Sequence, residues 1–136
     1  NLKFLIAQGI NPRQLVGVDF SSRLLKLAKT NLPPAVQLNH APAVKLPFSS
    51  KRFDLAFTHG LLMHVPPPQL ISSMQELIRI CHHWLIIIEE TRIKPKKINS
   101  FTWAHDYPKL INQFNLKIID SRHDKHNLSW YLLKKL

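Results

Sequence analysis

The sequence predicts an α/β fold: a doubly wound, mostly parallel sheet with helices on both faces and an antiparallel strand pair at the C-terminal end. Apolar strand-like segments alternate with amphipathic helical ones through most of the chain, as a parallel sheet requires. Residues 84–88 are apolar throughout, which is typical of a strand covered on both faces. The last two strand-like segments, 116–121 and 128–133, have no helix between them. We expect residues 1–136 to form one domain.

The first half of the chain contains two helical and three strand-like segments. Residues 1–9 are typical of the end of an amphipathic helix that stops at Gly9. Ser21 or Ser22 is placed to cap a second helix, which runs to about Thr30 and ends before Pro33 and Pro34. The inward face expected for that helix consists of Leu24, Leu25, Leu27 and Ala28. The expected strands are 15–19, 36–39 and 55–58, and a loop covers 41–52.

The second half of the chain begins with a proline-led helix. Pro66, Pro67 and Pro68 fix the backbone angle φ for the first turn of a helix over 68–82. Its expected inward face consists of Leu70, Ile71, Met74, Leu77, Ile78 and Cys81. The buried strand 84–88 follows, then a helix at 105–114 and the closing antiparallel pair.

The composition limits the classes of function. The chain carries a net charge of +11, but the basic residues are scattered, and no aromatic side chains alternate with them as a base-stacking surface would need. Small groups of basic residues illustrate the scatter: Lys94, Lys96 and Lys97 in one loop, Arg122 and Lys125 in another, and Lys134 and Lys135 at the end. Nucleic-acid binding therefore stays open as the less favoured alternative.

Two further features bear on location. The longest apolar run, 84–88, is far too short to cross a bilayer, so we expect no membrane association. The single Cys81 excludes an internal disulfide and fits a reducing compartment, which favours the cytoplasm. We expect it to be an inert, buried thiol in the helix.

Two strands end in residues suited to ligand binding. The strand 15–19 ends in Asp19, followed by Phe20, and an acid at the tip of a parallel strand can accept hydrogen bonds from a ribose diol. The alternatives are that Asp19 caps the next helix and that Phe20 belongs to the core. The strand 55–58 ends in Thr58, His59 and Gly60, at the sheet edge where such folds bind ligands.

These two segments, 15–21 and 46–65, resemble the class I S-adenosylmethionine-dependent methyltransferases, and in particular the methyltransferase type 11-like group. The resemblance implies a Rossmann-like fold with S-adenosylmethionine as cofactor. Asp19 would then hold the ribose, Phe20 would pack near the adenine, and Leu46, of the Leu-Pro-Phe motif, would lie beside it. Thr58, His59 and Gly60 would face the sulfur side of the cofactor.

The same resemblance implies a chemical role for His59 and an acid near the adenine that this chain does not have. His59 would position the substrate or accept its proton, because an imidazole can exchange a proton near neutral pH. The family often has an acid near the adenine amino group, but residues 41–44 contain none. More loosely, the strand 84–88 with Glu89 and the segment 128–133 resemble methylases associated with pseudaminic acid biosynthesis.

The resemblance also implies a segment that residues 1–136 do not contain. The family begins with a strand and a glycine-rich loop whose free N–H groups bind the cofactor carboxylate. This chain has three glycines, none arranged as Gly-x-Gly, and Asn1 begins what looks like the helix after that loop. We therefore expect an amino-terminally truncated domain in which the strands 15–19 and 55–58 lack a common neighbour. Such a chain would bind cofactor weakly.

The remaining histidines and acids give weaker indications. His64 is expected to be structural, and His82 and His83, as neighbours on a helix, would point to different faces. No histidine has zinc-ligand spacing with cysteines, so no metal site is expected. Glu89 and Glu90 would lie at the ligand edge, where they would meet a substrate hydroxyl or amine, or cap the following loop.

The hypothesis that follows is methyl transfer to a small-molecule acceptor, impaired in this truncated chain. Two alternatives stay open: a nucleic-acid methyltransferase, and a non-catalytic remnant that keeps the fold. The sequence predicts neither the acceptor nor the oligomeric state.

Overall fold

The computed structural model of the protein describes residues 1–92 and 96–136, which divide into two units, Asn1–Lys45 and Leu46–Leu136. Lys94, one of the basic residues of the predicted loop, lies outside the described residues. No helix in the described part of the chain is long and apolar enough to cross a membrane.

The first unit contains two helices and a two-stranded parallel sheet. Its elements are α1 (Leu2–Ala7), β1 (Val16–Asp19), α2 (Ser22–Asn31) and β2 (Gln37–His40), with a 3₁₀ turn at Pro12–Gln14. β1 and β2 run parallel, with Val16 opposite Gln37 and Asp19 opposite His40. Gly17 permits close packing here, because a Cβ atom at this position would lie 2.8 Å from Leu38 Cδ2.

The second unit is built on a four-stranded mixed sheet. Its elements are β3 (Phe53–His59), a 3₁₀ turn (Leu62–His64), α3 (Pro67–Ile80), β4 (Cys81–Glu90), β5 (Lys96–Asn99), β6 (Thr102–Ala104), α4 (Tyr107–Ile111), β7 (Leu116–His123) and β8 (Leu128–Lys135). The strand order is β3-β4-β8-β7, with β3 and β4 parallel and the other pairs antiparallel. β5 and β6 form a separate antiparallel hairpin.

The core of the second unit lies between α3 and the central strands. α3 buries Leu70, Ser73, Met74, Leu77 and Ile80. On the sheet, Leu85 and Ile87 of β4 and Tyr131 and Leu133 of β8 are each no more than 1% exposed. The alternation of buried residues along β8 places every second side chain in this core, as the period of a strand requires.

The predicted fold class is confirmed: the structure is α/β, with parallel strand pairs and a closing antiparallel pair, β7 and β8. The first four predicted strands agree with β1 to β4 in place, although β4 begins three residues earlier than predicted. The hairpin β5–β6 was not predicted, and Lys96 and Lys97 lie in β5 rather than in a loop. Arg122 likewise lies in β7.

The predicted end of the third helix is wrong. α3 ends at Ile80, and Cys81, His82 and His83 begin β4 instead of completing the helix. Tertiary contacts end it: the Lys51 N–H donates to the Arg79 carbonyl (2.8 Å), and Lys135 Nζ donates to the carbonyl groups of Ile78 and Cys81. Cys81 then pairs with Phe53 in the sheet.

The predicted inward faces are only partly right. Leu24, Leu27 and Ile71 are 43%, 56% and 38% exposed, so α2 buries none of its residues and α3 buries a narrower face than expected. The helix predicted over 105–114 is shorter, α4 spanning Tyr107–Ile111, because Asp106 caps it by accepting the Lys109 N–H. Cys81 is buried as predicted, and its thiol donates to the Trp84 carbonyl.

Candidate functional site

The turn after β1 is shaped by hydrogen bonds between residues close in sequence. Asp19 is half-buried at the end of β1, and its Oδ1 accepts the Ser21 N–H at 2.8 Å. Ser21, not Asp19, is the N-cap of α2, because its Oγ accepts the Leu24 N–H. The cap interpretation of Asp19 is therefore wrong, and its carboxylate keeps a second oxygen beyond the one that the turn uses.

Phe20 lies on the surface beside Asp19. Its side chain is 66% exposed, so the alternative that it belongs to the core is wrong. The Phe20 carbonyl lies 2.6 Å from His40 Nε2, which fixes the backbone between Asp19 and α2. His40 stands opposite Asp19 in the parallel pair, a relation that depends on strand register and that sequence reasoning missed.

The turn after β3 contains Thr58, His59 and Gly60. Thr58 is 2% exposed, whereas His59 is exposed and stands opposite Ile88 of β4. Gly60 has φ of +62°, a conformation that residues with a Cβ atom rarely adopt, and its N–H donates to the Ile88 carbonyl at 3.0 Å. The glycine therefore lets the chain leave the strand sharply while it stays bonded to β4.

A buried carboxylate from β4 holds the residues that follow Gly60. Glu89 is 0% exposed, and its Oε1 accepts the N–H groups of Leu61 and Leu62, each at 3.0 Å. Its Oε2 accepts the Met63 N–H at 3.2 Å. The predicted cap of the following loop is wrong for Glu89, because the loop that it holds is the preceding one, after β3.

Burial governs the titration of Glu89. Removal from solvent raises the pKa of this carboxyl group, while the backbone N–H donors act in the opposite direction. The buried Thr58 hydroxyl also lowers this pKa, although it makes no hydrogen bond of regular geometry. The Tyr107 side chain is 0% exposed, and burial followed by the charge of Glu89 raises the pKa of its phenol.

Leu46 is buried and is held by an ion pair on α3. Its N–H donates to Glu76 Oε2 at 2.6 Å, and its carbonyl accepts from Arg79 Nη2 at 3.1 Å. Arg79 also donates to the Phe48 carbonyl at 2.6 Å. Glu76 and Arg79 bond each other through two contacts, at 2.6 and 2.9 Å. Sequence reasoning missed this pair, whose only signal was an acid and a base three residues apart.

The Glu76–Arg79 pair makes the Leu46 segment sensitive to acid. Hydrogen bonds from Arg79 are the main cause that lowers the pKa of Glu76 from 4.5 to about 2; burial opposes them and the Leu46 N–H supports them. Because the pKa is lower in the folded chain, the carboxylate contributes stability above pH 4.5. That contribution is lost as the pH falls towards 2.

The remaining predicted residues have structural contacts. His64 Nδ1 lies 2.9 Å from the Phe101 carbonyl in the β5–β6 turn, which agrees with a structural role. Glu90 binds Arg92, two residues away, at 3.1 Å. His105, which was not singled out, is buried with Nε2 3.2 Å from the Val65 carbonyl, and burial lowers its pKa.

Comparison with known proteins gives a family match and a curated relative. The family described as a methyltransferase domain matches residues 1–83. The demethylmenaquinone methyltransferase of Desulfitobacterium hafniense (strain Y51) is 31% identical over 87 residues, which cover 60% of this chain and 34% of that protein. The chain thus spans about a third of the length of this curated relative.

Two solved structures illustrate the likeness of fold. A SAM-dependent methyltransferase from Methanosarcina mazei has a TM-score of 0.71 at 17% identity, covering 89% of this chain and 81% of its own. The 1,6-didemethyltoxoflavin-N1-methyltransferase of Burkholderia thailandensis, with 1,6-didemethyltoxoflavin and S-adenosylhomocysteine bound, has a TM-score of 0.73 at 18% identity. The match covers 98% of this chain and 65% of the Burkholderia protein. At these identities the likeness establishes the fold.

Proposed function

The chain belongs to the methyltransferase-domain family, and from this premise we propose that it serves methyl transfer from S-adenosylmethionine to a small-molecule acceptor. The observation that carries the proposal is the placement of Asp19. It is a half-buried acid at the carboxyl end of a parallel strand, inside the segment that the family match covers. Doubly wound folds bind the ribose of nucleotide cofactors at that position.

The turn after β1 fits a nucleoside. Asp19 uses one oxygen for the Ser21 N–H and retains acceptor capacity for the two ribose hydroxyl groups. Phe20, exposed and held by His40 through its carbonyl, offers an aromatic face to the adenine. The carboxylate orients the sugar, and the ring excludes water from one side of the base.

The turn after β3 is proposed to act at the reacting end. When bound, S-adenosylmethionine supplies an activated methyl group, which the lone pair of the acceptor takes while the thioether leaves and the acceptor loses its proton. His59 is exposed at the strand end, where an imidazole nitrogen can receive that proton. Glu89 acts as a positioning residue, because it holds the N–H groups of the residues after Gly60 in one arrangement.

The acceptor is proposed to be a small molecule. The Burkholderia relative carries 1,6-didemethyltoxoflavin, a small acceptor, on the same fold. The net charge of +11 keeps a nucleic-acid acceptor as the second candidate. Two pairs of exposed basic residues lie on strands: Lys117 and Arg122 on β7, and Lys96 and Lys97 on β5. These strands belong to different sheets, so the two pairs do not form one basic strand for a nucleic acid.

Cofactor affinity is proposed to depend on a further strand with a glycine-rich loop. Among the described residues β1 pairs only with β2, and β3 only with β4, so each has one edge without a strand. Unpaired N–H and C=O groups at such edges can accept another strand. Residues 1–136 contain no Gly-x-Gly sequence to bring backbone N–H groups against the carboxylate of the cofactor.

A calorimetric titration with S-adenosylhomocysteine tests this proposal. The 136-residue chain is compared with a longer protein in which an added strand and a Gly-x-Gly loop precede α1. We expect the longer protein to bind at least about tenfold tighter. The matched control keeps the added strand but replaces its loop glycines by valine, and should bind like the short chain. Equal affinity in all three proteins would contradict the proposed dependence.

A further inference from the structure

An irregularity in the β3–β4 pair brings three potential metal ligands together. Phe53 stands opposite Cys81, but Leu55 stands opposite Trp84, so the pairing shifts between them. One residue of β3, Asp54, therefore faces two residues of β4, His82 and His83. This is the arrangement of a β-bulge, which re-aims side chains that would otherwise alternate across the sheet.

The bulge explains why two adjacent histidines lie on the same side. Their rings stack with centroids 3.8 Å apart and an angle of 28° between the planes, although successive residues of a regular strand point to opposite faces. The prediction that they point apart on a helix is wrong, because both belong to β4. His82 Nδ1 lies 3.9 Å from Asp54 Oδ1, and one potential ligand atom from each of the three residues lies within 4.8 Å of the others.

We propose that Asp54, His82 and His83 bind one divalent transition-metal ion of the zinc type. Two imidazoles and one carboxylate are a common set of three protein ligands for Zn²⁺, with water in the remaining position. The three side chains are exposed, so the ion reaches them directly from solvent. The site lies at the start of β3 and β4, at the opposite ends of these strands from the Thr58–Gly60 turn, and is independent of the proposed methyl transfer.

The surroundings select the kind of ion. Arg52 lies over the Phe53 ring, 5.3 Å from its centroid, and Lys134 lies 5.9 Å from the centroid of the Trp84 ring. Together with the net charge of +11, these cations, which contact residues next to the cluster in sequence, oppose any ion held by charge alone. Mg²⁺ and Ca²⁺ prefer oxygen ligands, of which Asp54 supplies the only carboxylate in the cluster. Imidazole nitrogens favour Zn²⁺, Ni²⁺ and Cu²⁺.

Binding requires a small rearrangement of exposed side chains. Around a tetrahedral Zn²⁺ with bonds near 2.0–2.1 Å, neighbouring ligand atoms lie roughly 3.3 Å apart. The 3.9 Å between His82 Nδ1 and Asp54 Oδ1 must therefore shorten slightly. A bound ion also lies in the plane of each ring that holds it, so the His82–His83 stack must open. The side chain of Asp54 is 90% exposed and that of His82 45%, so both are free to turn.

Zinc titration of the 136-residue chain tests the proposal. Calorimetry with ZnCl₂ should give one site per chain, and His82→Ala and His83→Ala should each weaken it by at least about tenfold. Asp54→Asn should weaken it less, because an amide oxygen still binds. The matched control is His126→Ala, which removes an exposed imidazole but keeps the His126 N–H that donates to Asp124 Oδ1.

A second readout separates binding from adventitious contact with other histidines. Zinc bound to the folded chain should raise the temperature of unfolding with concentration, and the rise should disappear in the double variant His82→Ala/His83→Ala. Addition of MgCl₂ should give no rise. Equal zinc affinity in the parent, both single variants and His126→Ala would overturn the proposal, as would a thermal shift that survives in the double variant.

Discussion

The turns after β1 and after β3 occupy the same place on their strands, but they are held in different ways. Asp19 shapes the first turn through a bond to Ser21, two residues away. Glu89 shapes the second through bonds to residues 26 to 28 positions distant in sequence. The first turn is thus a local structure on a half-exposed surface, and the second depends on the pairing of two strands. Each turn should respond differently when its surroundings are weakened.

The two units that contain these turns also differ in how completely their apolar side chains are buried. In Asn1–Lys45 the buried apolar residues are Leu15, Val36 and Ala41, each between 7% and 9% exposed. In Leu46–Leu136 the largest buried side chains, among them Leu62, Ile87 and Leu133, are fully enclosed. A fully enclosed side chain leaves a cavity when truncated, whereas a site near the surface can relax or admit water.

The largest expected effect compares two leucines. Leu133→Ala, in β8, should lower the free energy of unfolding by about 3–5 kcal/mol, because it opens a cavity in a closed core. Leu15→Ala, next to β1, should cost about 2 kcal/mol or less, at the low end for such changes. Urea denaturation of both variants measures the difference. Equal losses of stability would contradict the claim that the core of Leu46–Leu136 is more completely enclosed than that of Asn1–Lys45.

The next effect concerns the turn after β3. Glu89→Gln keeps one acceptor oxygen but turns an NH₂ group towards a backbone N–H, leaving a buried donor unsatisfied. We expect a loss of about 1–3 kcal/mol of stability. The matched control, Glu90→Gln, changes the adjacent acid, which binds Arg92 near the surface, and should alter stability by less than ~0.5 kcal/mol.

Hydrogen exchange shows whether this loss is located where the structure places it. In the Glu89→Gln variant the amide protons of Leu62 and Met63 should exchange faster, while that of Ser21 in the other turn should not change. If all three amides exchanged faster by the same factor, Glu89 would act on global stability alone, and its role in holding this turn would be contradicted.

The same division explains what could be predicted from the sequence. Asp19 at a strand end is a local pattern, and the structure places it at the carboxyl end of β1 as expected. The hydrogen bonds of Glu89 depend on which strand lies beside β3. The hydrogen bond between Glu76 and the Leu46 N–H depends on how α3 packs against the loop that contains Leu46. No pattern within a short window contains that information.

The errors in the predicted elements have the same origin. Cys81, His82 and His83 continue the apolar and polar period of α3, so the sequence alone favours helix there. The pairing of Cys81 with Phe53, and the contacts of Lys135 with the carbonyl groups of Ile78 and Cys81, outweigh that preference. The β3–β4 bulge, and with it the cluster of Asp54 and the two histidines, follows from strand register and could not be predicted without it.

The most direct test of the central claim is the affinity of the longer, glycine-loop protein for S-adenosylhomocysteine when Asp19 is changed to Asn. Asparagine can still accept the Ser21 N–H, so the turn and the melting temperature should be preserved. It offers one acceptor oxygen where the carboxylate offers two, and it loses the charge. Asp120→Asn on β7, which removes an exposed acid near Arg122, is the control. We predict an affinity at least about tenfold lower for Asp19→Asn alone; an affinity equal to that of the parent would contradict the assignment of Asp19 to the ribose.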